Sequence, residues 1–365
     1  MLKGPPEFVL AVACCRWPLT PERLEAVRAA AVGTDWHFFA RVAERHRVEA
    51  LVWNALRQAQ VDVPAEIRAS FSAAAGRTAL QNLELAAEAV AIRDSFAAEG
   101  IETIFVKGIS LAMLAYGSLS LKAGWDIDVL IPPEKLLAAE ALLRRDGYDT
   151  TEPASPVSSA HLSLWHRISK ESVWRDGRGR HIELHTRLTD NALLIPTIGV
   201  GSAVRDVEVG GGVTLRTLGE RELFAYLCVH GASSAWFRLK WLADLAALVA
   251  GKDETEIAAL YDSSQALGAG RAADLALLLA RRLFETPVPD ALVRRLESDP
   301  VNRWLAATAM KTMAGRGVAT EPTAIRLGTL PIHLLQFGLG RGIRFKLHEL
   351  RRQLANPKRA IRRAQ

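Results

Sequence analysis

The chain has 365 residues, 49% of them hydrophobic, enough to bury a full core and to build two domains or one domain with a large helical extension. Its three cysteines, Cys14, Cys15 and Cys228, supply neither a disulfide framework nor a zinc-ligand spacing, which points to a reducing, cytoplasmic location. The net charge of +6 is concentrated at one end: Arg341 to Gln365 carries nine basic residues against the single acid Glu349, so that segment holds +8 and the remainder about −2.

The apolar run Phe8 to Cys15 follows Pro5, Pro6 and Glu7 and is only eight residues long, which favours a first buried helix over an export signal. Helix starts follow at Thr20-Pro21 and at Asp35, so residues 1–99 read as a helical N-terminal region. Within it, 82–99 is amphipathic and stops at Gly100, and Ile101 to Val106 is expected to be a strand. Ser110 to Tyr116 reads as a short helix, 117–125 as a loop, and Asp126 to Ile131 as a second strand that Pro132-Pro133 terminates before a helix reaching Arg145. After the polar loop TEPASPVSS, a turn near Trp174 to Gly179 separates two strand-like runs, the second being His181 to His185. A hairpin over 207–214 precedes a return to helices at Glu220. The expected organisation is therefore α+β: a small mixed-sheet core over 100–218, a helical C-terminal domain over 219–315, and a linker with a basic tail over 316–365. No transmembrane segment and no internal repeat is read.

The chemistry begins at Asp126-Ile127-Asp128-Val129. A strand alternates its side chains, so Asp126 and Asp128 share one face, where two carboxylates repel each other unless they are solvated or bridged by a cation. Transfer of a nucleotidyl group uses such a pair with a third carboxylate on a neighbouring strand to hold Mg²⁺ or Mn²⁺, and Glu183 suits that place. The glycine turn Lys107-Gly108-Ile109-Ser110 is a natural phosphate seat ahead of a helix, and Lys107 and Lys122 can add positive charge toward a triphosphate. His181 and His185 flank Glu183 on one strand face, where they read as structural rather than as zinc ligands. His230 reads as a half-buried helix histidine near Trp236 or Trp241, and Asp244 as the partner of a histidine or lysine. The GLGRG run over 338–342 follows no strand, and no P-loop is present.

These motifs together, FVKGISLAMLAYGS, LKAGWDIDVLIP, HIELHTRL and LCVHGASSAWFRLKWLADLAAL, resemble an uncharacterised bacterial nucleotidyltransferase family of the polymerase-beta-type superfamily over about residues 40 to 250. The resemblance implies Gly108 and Ser110 at the nucleotide phosphates, Asp126 and Asp128 as metal ligands, Glu183 as the third carboxylate, and accessory roles for His230, Trp241 and Asp244. It departs from the family pattern at Lys122, where an arginine is usual, and at Gly108-Ile109-Ser110 in place of a strict Gly-Ser. The resulting expectation is an enzyme that moves a nucleoside monophosphate from an NTP to a small molecule, a peptide or protein, or an RNA end. A non-catalytic nucleotide- or nucleic-acid-binding module is the competing expectation. The basic tail is the segment expected to attract an anionic acceptor or surface.

Overall fold

A computed structural model of the chain describes residues 4–315, 318–320 and 329–355. Five helices come first: α1 (Pro6–Cys14), α2 (Pro21–Ala31), α3 (Trp36–His46), α4 (Glu49–Gln58) and α5 (Ala65–Ala98). The sequence signals act as capping groups, with Thr20 accepting from the Arg23 N–H at 3.4 Å and Asp35 from the Phe38 N–H at 2.9 Å. The Phe8 run is a buried helix, as its composition indicates. The amphipathic segment 82–99 is the second half of α5, a helix of 34 residues, because nothing in the alanine-rich stretch before it interrupts the helix.

The sheet region contains β1 (Ile104–Phe105), α6 (Ile109–Tyr116), β2 (Ile127–Leu130), α7 (Leu136–Arg145), β3 (Tyr148–Glu152), α8 (Ser159–Ile168), β4 (Glu171–Asp176) and β5 (His181–His185). The expected strand over 101–106 contracts to β1: it pairs with β2 on one edge only, and the ladder ends after two residues. Helix α8, unread in the sequence, starts where Ser158 caps the His161 N–H at 3.3 Å. The five strands lie in the order β1-β2-β5-β4-β3, with β2 and β5 parallel and the other neighbours antiparallel. A separate hairpin, β6 (Val204–Gly210) and β7 (Val213–Leu218), follows.

Helices return with α9 (Glu220–Ser233), α10 (Leu239–Leu248), α11 (Glu254–Ala266), α12 (Arg271–Phe284), α13 (Asp290–Ser298), α14 (Pro300–Ala314), α15 (Leu330–Gln336) and α16 (Gly342–Ala355). Apolar side chains of the first helices, such as Phe8, Val42 and Phe71, join those of α9 to α14 in one core. A second core lies on the other side of the sheet, where Ile127, Val129, Trp174, Ile182 and Leu184 meet Ile92 and Phe96 of α5 and Leu142 of α7. The candidate site sits between the sheet and the first of these cores.

The basic segment was expected to be a separate tail. Its described part instead contains α16, which is docked on the body: Phe345 and Glu349 are buried, and Glu349 accepts from Asn191 Nδ2 at 2.8 Å. The charge count hid this because apolar and acidic residues on one face of a helix decide docking while Arg344, Lys346 and Arg351 stay outside. The expected linker over 315–331 and the tail end over 356–365 lie largely or wholly outside the described residues. No helix among the described residues is long and apolar enough to cross a membrane.

Candidate active site

Strand register assembles the site. In the parallel β2/β5 ladder Asp128 stands opposite Glu183, and in the antiparallel β4/β5 ladder Glu171 stands opposite His185. Side-chain alternation then turns Asp126, Asp128, Glu183, His185 and Glu171 to the same face, while Ile127, Val129, Ile182 and Leu184 fill the core behind the sheet. Lys107, two residues beyond β1, places Nζ 2.6 Å from Asp128 Oδ1 and 3.6 Å from Glu183 Oε2. His185 Nε2 lies 3.2 Å from both Asp128 Oδ1 and Glu171 Oε2, and 3.5 Å from Glu183 Oε2. Lys170 pairs with Glu171 beside them.

Burial and charge pull these groups in opposite directions. Burial raises the Asp128 carboxyl above the usual carboxylate range against the pull of Lys107, and the Asp126 and Glu183 charges add to the rise. Burial would also raise Glu183, but Lys107, the His185 hydrogen bond and Lys170 outweigh it and hold that carboxyl well below its usual range. For His185 desolvation opposes protonation, yet Glu171 and the bonds to Asp128 and Glu183 prevail and push it up to about 9. His230 is the reverse: burial, then the Lys107 and Lys170 charges, keep it neutral.

A cavity of about 390 Å³ opens over this cluster. Lys107, Gly108, Asp126, Glu171 and Glu183 line its sheet side; Leu227, His230, Lys240, Trp241 and Asp244 line it from α9 and α10. Gly108, at φ +65°, turns the chain from β1 into α6. Lys122 reaches the cavity from the loop before β2, 3.7 Å from Asp244 Oδ2, and the Tyr116 hydroxyl donates to Asp244 Oδ1 at 2.9 Å. Asp244 is thus the lysine's partner. Asn82 of α5 holds that loop by donating to the carbonyls of Lys122, at 2.6 Å, and Leu119. A Cβ on Gly124 would run into Asn82 Oδ1, so a side chain there would displace this clamp.

Of the residues singled out from sequence, Lys107, Gly108, Lys122, Asp126 and Glu183 line the one cavity, and Asp128 lies buried directly beneath through its pair with Lys107. Ser110 is fully buried and does not line it. Among the described residues, the group of carboxylate and imidazole atoms close enough to share a metal ion is Asp128, Glu183 and His185, within 4.8 Å of one another. His185 therefore stands in the cluster where Asp126 was expected, and Asp126 lies two residues before Asp128 and lines the cavity above it. The donor set fits a hard divalent cation: Asp128 spends Oδ1 on Lys107 and His185, while its buried Oδ2 has no hydrogen-bond partner.

The sequence reading missed Lys170, Glu171 and the active position of His185. The alternation of His181, Glu183 and His185 was visible, but the pairing of His185 with Glu171 depends on the hairpin register around Asp176 to Arg180. Tyr226 carried no signal: its fully buried hydroxyl has no hydrogen-bond partner, and it feels the charges of Lys107, Asp128, Lys170 and Glu183.

The family described as uncharacterised nucleotidyltransferase matches residues 33–285. No curated protein and no solved structure matches the chain.

Proposed function

The chain belongs to the uncharacterised nucleotidyltransferase family, and on that premise we propose that it moves a nucleoside monophosphate from an NTP to an acceptor hydroxyl. The observation that carries this reading is the opposition of Asp128 and Glu183 across the parallel β2/β5 pair, with Asp126 on the same face and a cationic cavity above. Asp126, Asp128 and Glu183 would hold Mg²⁺ or Mn²⁺, with His185 beside them; when bound, such ions neutralise the phosphates and make the acceptor oxygen a better nucleophile.

The chain's own residues do the rest. Gly108 and the backbone N–H groups opening α6 face the phosphates, and Lys122, Arg47 and Arg238 offer positive charge to the leaving pyrophosphate. The exposed Trp125 and the cavity-lining Trp241 present aromatic surface for a base. The acceptor oxygen attacks the α-phosphorus, the bond from that phosphorus to the bridging oxygen of the pyrophosphate breaks, and the hydroxyl proton passes to the carboxylate cluster. The three unpaired, buried cysteines fit a cytoplasmic enzyme.

The test is incubation with α-labelled and γ-labelled NTP and cell extract. Label from the α-position, on an acceptor and dependent on Asp126, supports the reading. Label from the γ-position would make the protein a kinase, and NTP binding without any transfer would leave a binding module.

A further inference from the structure

Resting on the nucleotidyltransferase reading, we propose that the acceptor is a small, uncharged, polyhydroxylated molecule of about one sugar ring, and that it binds in a second chamber walled by α16. This chamber, of about 200 Å³, lies between the segment after β5, the end of α9 and the helices α15 and α16. Lys170 and His230 line both this chamber and the cavity over the carboxylates, so these two side chains form the partition between them.

In-line displacement requires the attacking oxygen and the departing pyrophosphate to lie on opposite sides of the α-phosphorus. Charge decides which side is which. The central cavity is lined by five cations, Arg47, Lys107, Lys122, Lys170 and Arg238, against four carboxylates, with Lys240 pushed down to about 7 by burial and the Lys122 charge, and it adjoins an arginine-lined space through Arg47, Ala123 and Trp125. That end suits the triphosphate. At the other end the chamber wall holds Lys170 and Arg352 against Asp190 and Glu349, a balance of zero. A polyanionic RNA end gains nothing from such a wall.

The lining matches a polyol. Ser233 and Ser234 supply hydroxyl groups beside Thr189, Asn191 and Gln336, which are held by hydrogen bonds within the wall, while Leu194, Leu339 and Phe345 supply apolar surface for ring carbons. The wall is built rather than incidental: Asn191 and Glu349 are 5% and 1% exposed and bonded to each other, and Glu349 also accepts from Arg352 Nε and from Gln353 Nε2 at 2.8 Å. The neutral imidazole of His230 stands at the junction, where a hydroxyl crossing toward the carboxylates would meet it.

The experiment uses full-length protein, α-labelled ATP and three fractions of cell extract: small-molecule filtrate, RNA and protein. Labelled product is expected from the filtrate alone, from the part that passes both cation- and anion-exchange resins, and to vanish when that part is pretreated with periodate, which cleaves vicinal diols. Ser233→Phe, which fills the chamber, is expected to lower transfer to the filtrate by about a hundredfold while leaving Mg²⁺-dependent binding of an α,β-methylene ATP analogue at wild-type affinity. Glu349→Gln, which keeps the shape should the first variant fail to fold, is expected to raise the filtrate concentration needed for half-maximal labelling about tenfold, because it loosens the charged hydrogen bond to Arg352 that holds this wall. Labelling confined to RNA or protein, an acceptor retained on either resin or insensitive to periodate, or unaltered transfer in both variants overturns the proposal alone. Failure of the wild type to bind the ATP analogue overturns the nucleotidyltransferase reading and this one with it.

Discussion

The two aspartates of the Asp-x-Asp pair have different surroundings, and their asparagine variants are expected to differ accordingly. Asp128 is fully buried and holds Lys107 at 2.6 Å, so Asp128→Asn leaves that ammonium with the more distant Glu183 as its partner. It is expected to abolish transfer and to cost about 2 kcal/mol of stability, the range for losing a buried charged hydrogen bond. Asp126 lines the cavity and makes no ion pair with the described cations, so Asp126→Asn breaks no close pair. It is expected to abolish transfer with an unchanged or slightly raised melting temperature. Thermal melts without metal, beside α-label assays, separate the two; equal destabilisation would mean that the Lys107 pair contributes nothing. Both carboxylates and Glu183 were legible as residues from alternation alone. That Lys107 serves as their counter-charge was not, because the turn after β1 could carry its side chain to solvent or to the site with the same sequence.

At the scale of elements, His46 joins α3 to α10. It is fully buried, accepts the Leu239 N–H at Nδ1 at 2.9 Å, and burial followed by the Arg45 charge keeps its pKa well below 6.5. A folded pKa below the unfolded one means that the unfolded chain binds the proton more readily. Its contribution is therefore complete above pH 6.5 and lost as pH falls below it, by up to about 1.4 kcal/mol per pH unit. Asn substitution is expected to lower the melting temperature at pH 8 yet give a shallower decline toward about pH 5; parallel profiles for the two proteins would assign the acid limb to His166 and His230, whose pKa values burial also depresses. The helix α16 invites a second comparison. Truncation after Ala355 removes Lys358, Arg359, Arg362 and Arg363 and is expected to leave stability intact. Truncation after Arg341 also exposes the surface beneath Phe345 and Glu349 and is expected to cost about 2 kcal/mol or more, read by urea unfolding. If both truncations melt alike, α16 does not hold the body together. Capping residues, proline stops and the Asp-Gly turn made most elements readable in advance. The docking of α16 was unreadable because it depends on Asn191, more than 150 positions away.

For the whole molecule, the α+β class followed from the change of period along the chain, but the sheet order did not. Alternation tells which side chains share a face; it does not tell that β2 skips β3 and β4 to lie beside β5, and that adjacency brings Asp128 to Glu183. A metal-binding test probes this assembly as a unit. Mg²⁺ with ATP is expected to raise the melting temperature, equivalent to about 2.7 kcal/mol at a hundredfold excess over Kd, with chelation reversing it and Zn²⁺ failing to replace it. Stabilisation by Zn²⁺ alone would promote His181 and His185 over the carboxylates. The length of α5 has a further consequence. Its 34 residues run about 50 Å, with Ile67 and Phe71 seated in the helical core and Leu85, Ile92 and Phe96 in the core behind the sheet. One continuous helix is thus anchored in both cores, which opposes a hinge motion between them. Substrates must enter past side chains and loops, and the amides of Phe71 and Ile92 should exchange with deuterium at the same rate, through one common global opening. Protection lost at one end of α5 well before the other would show that the halves breathe independently.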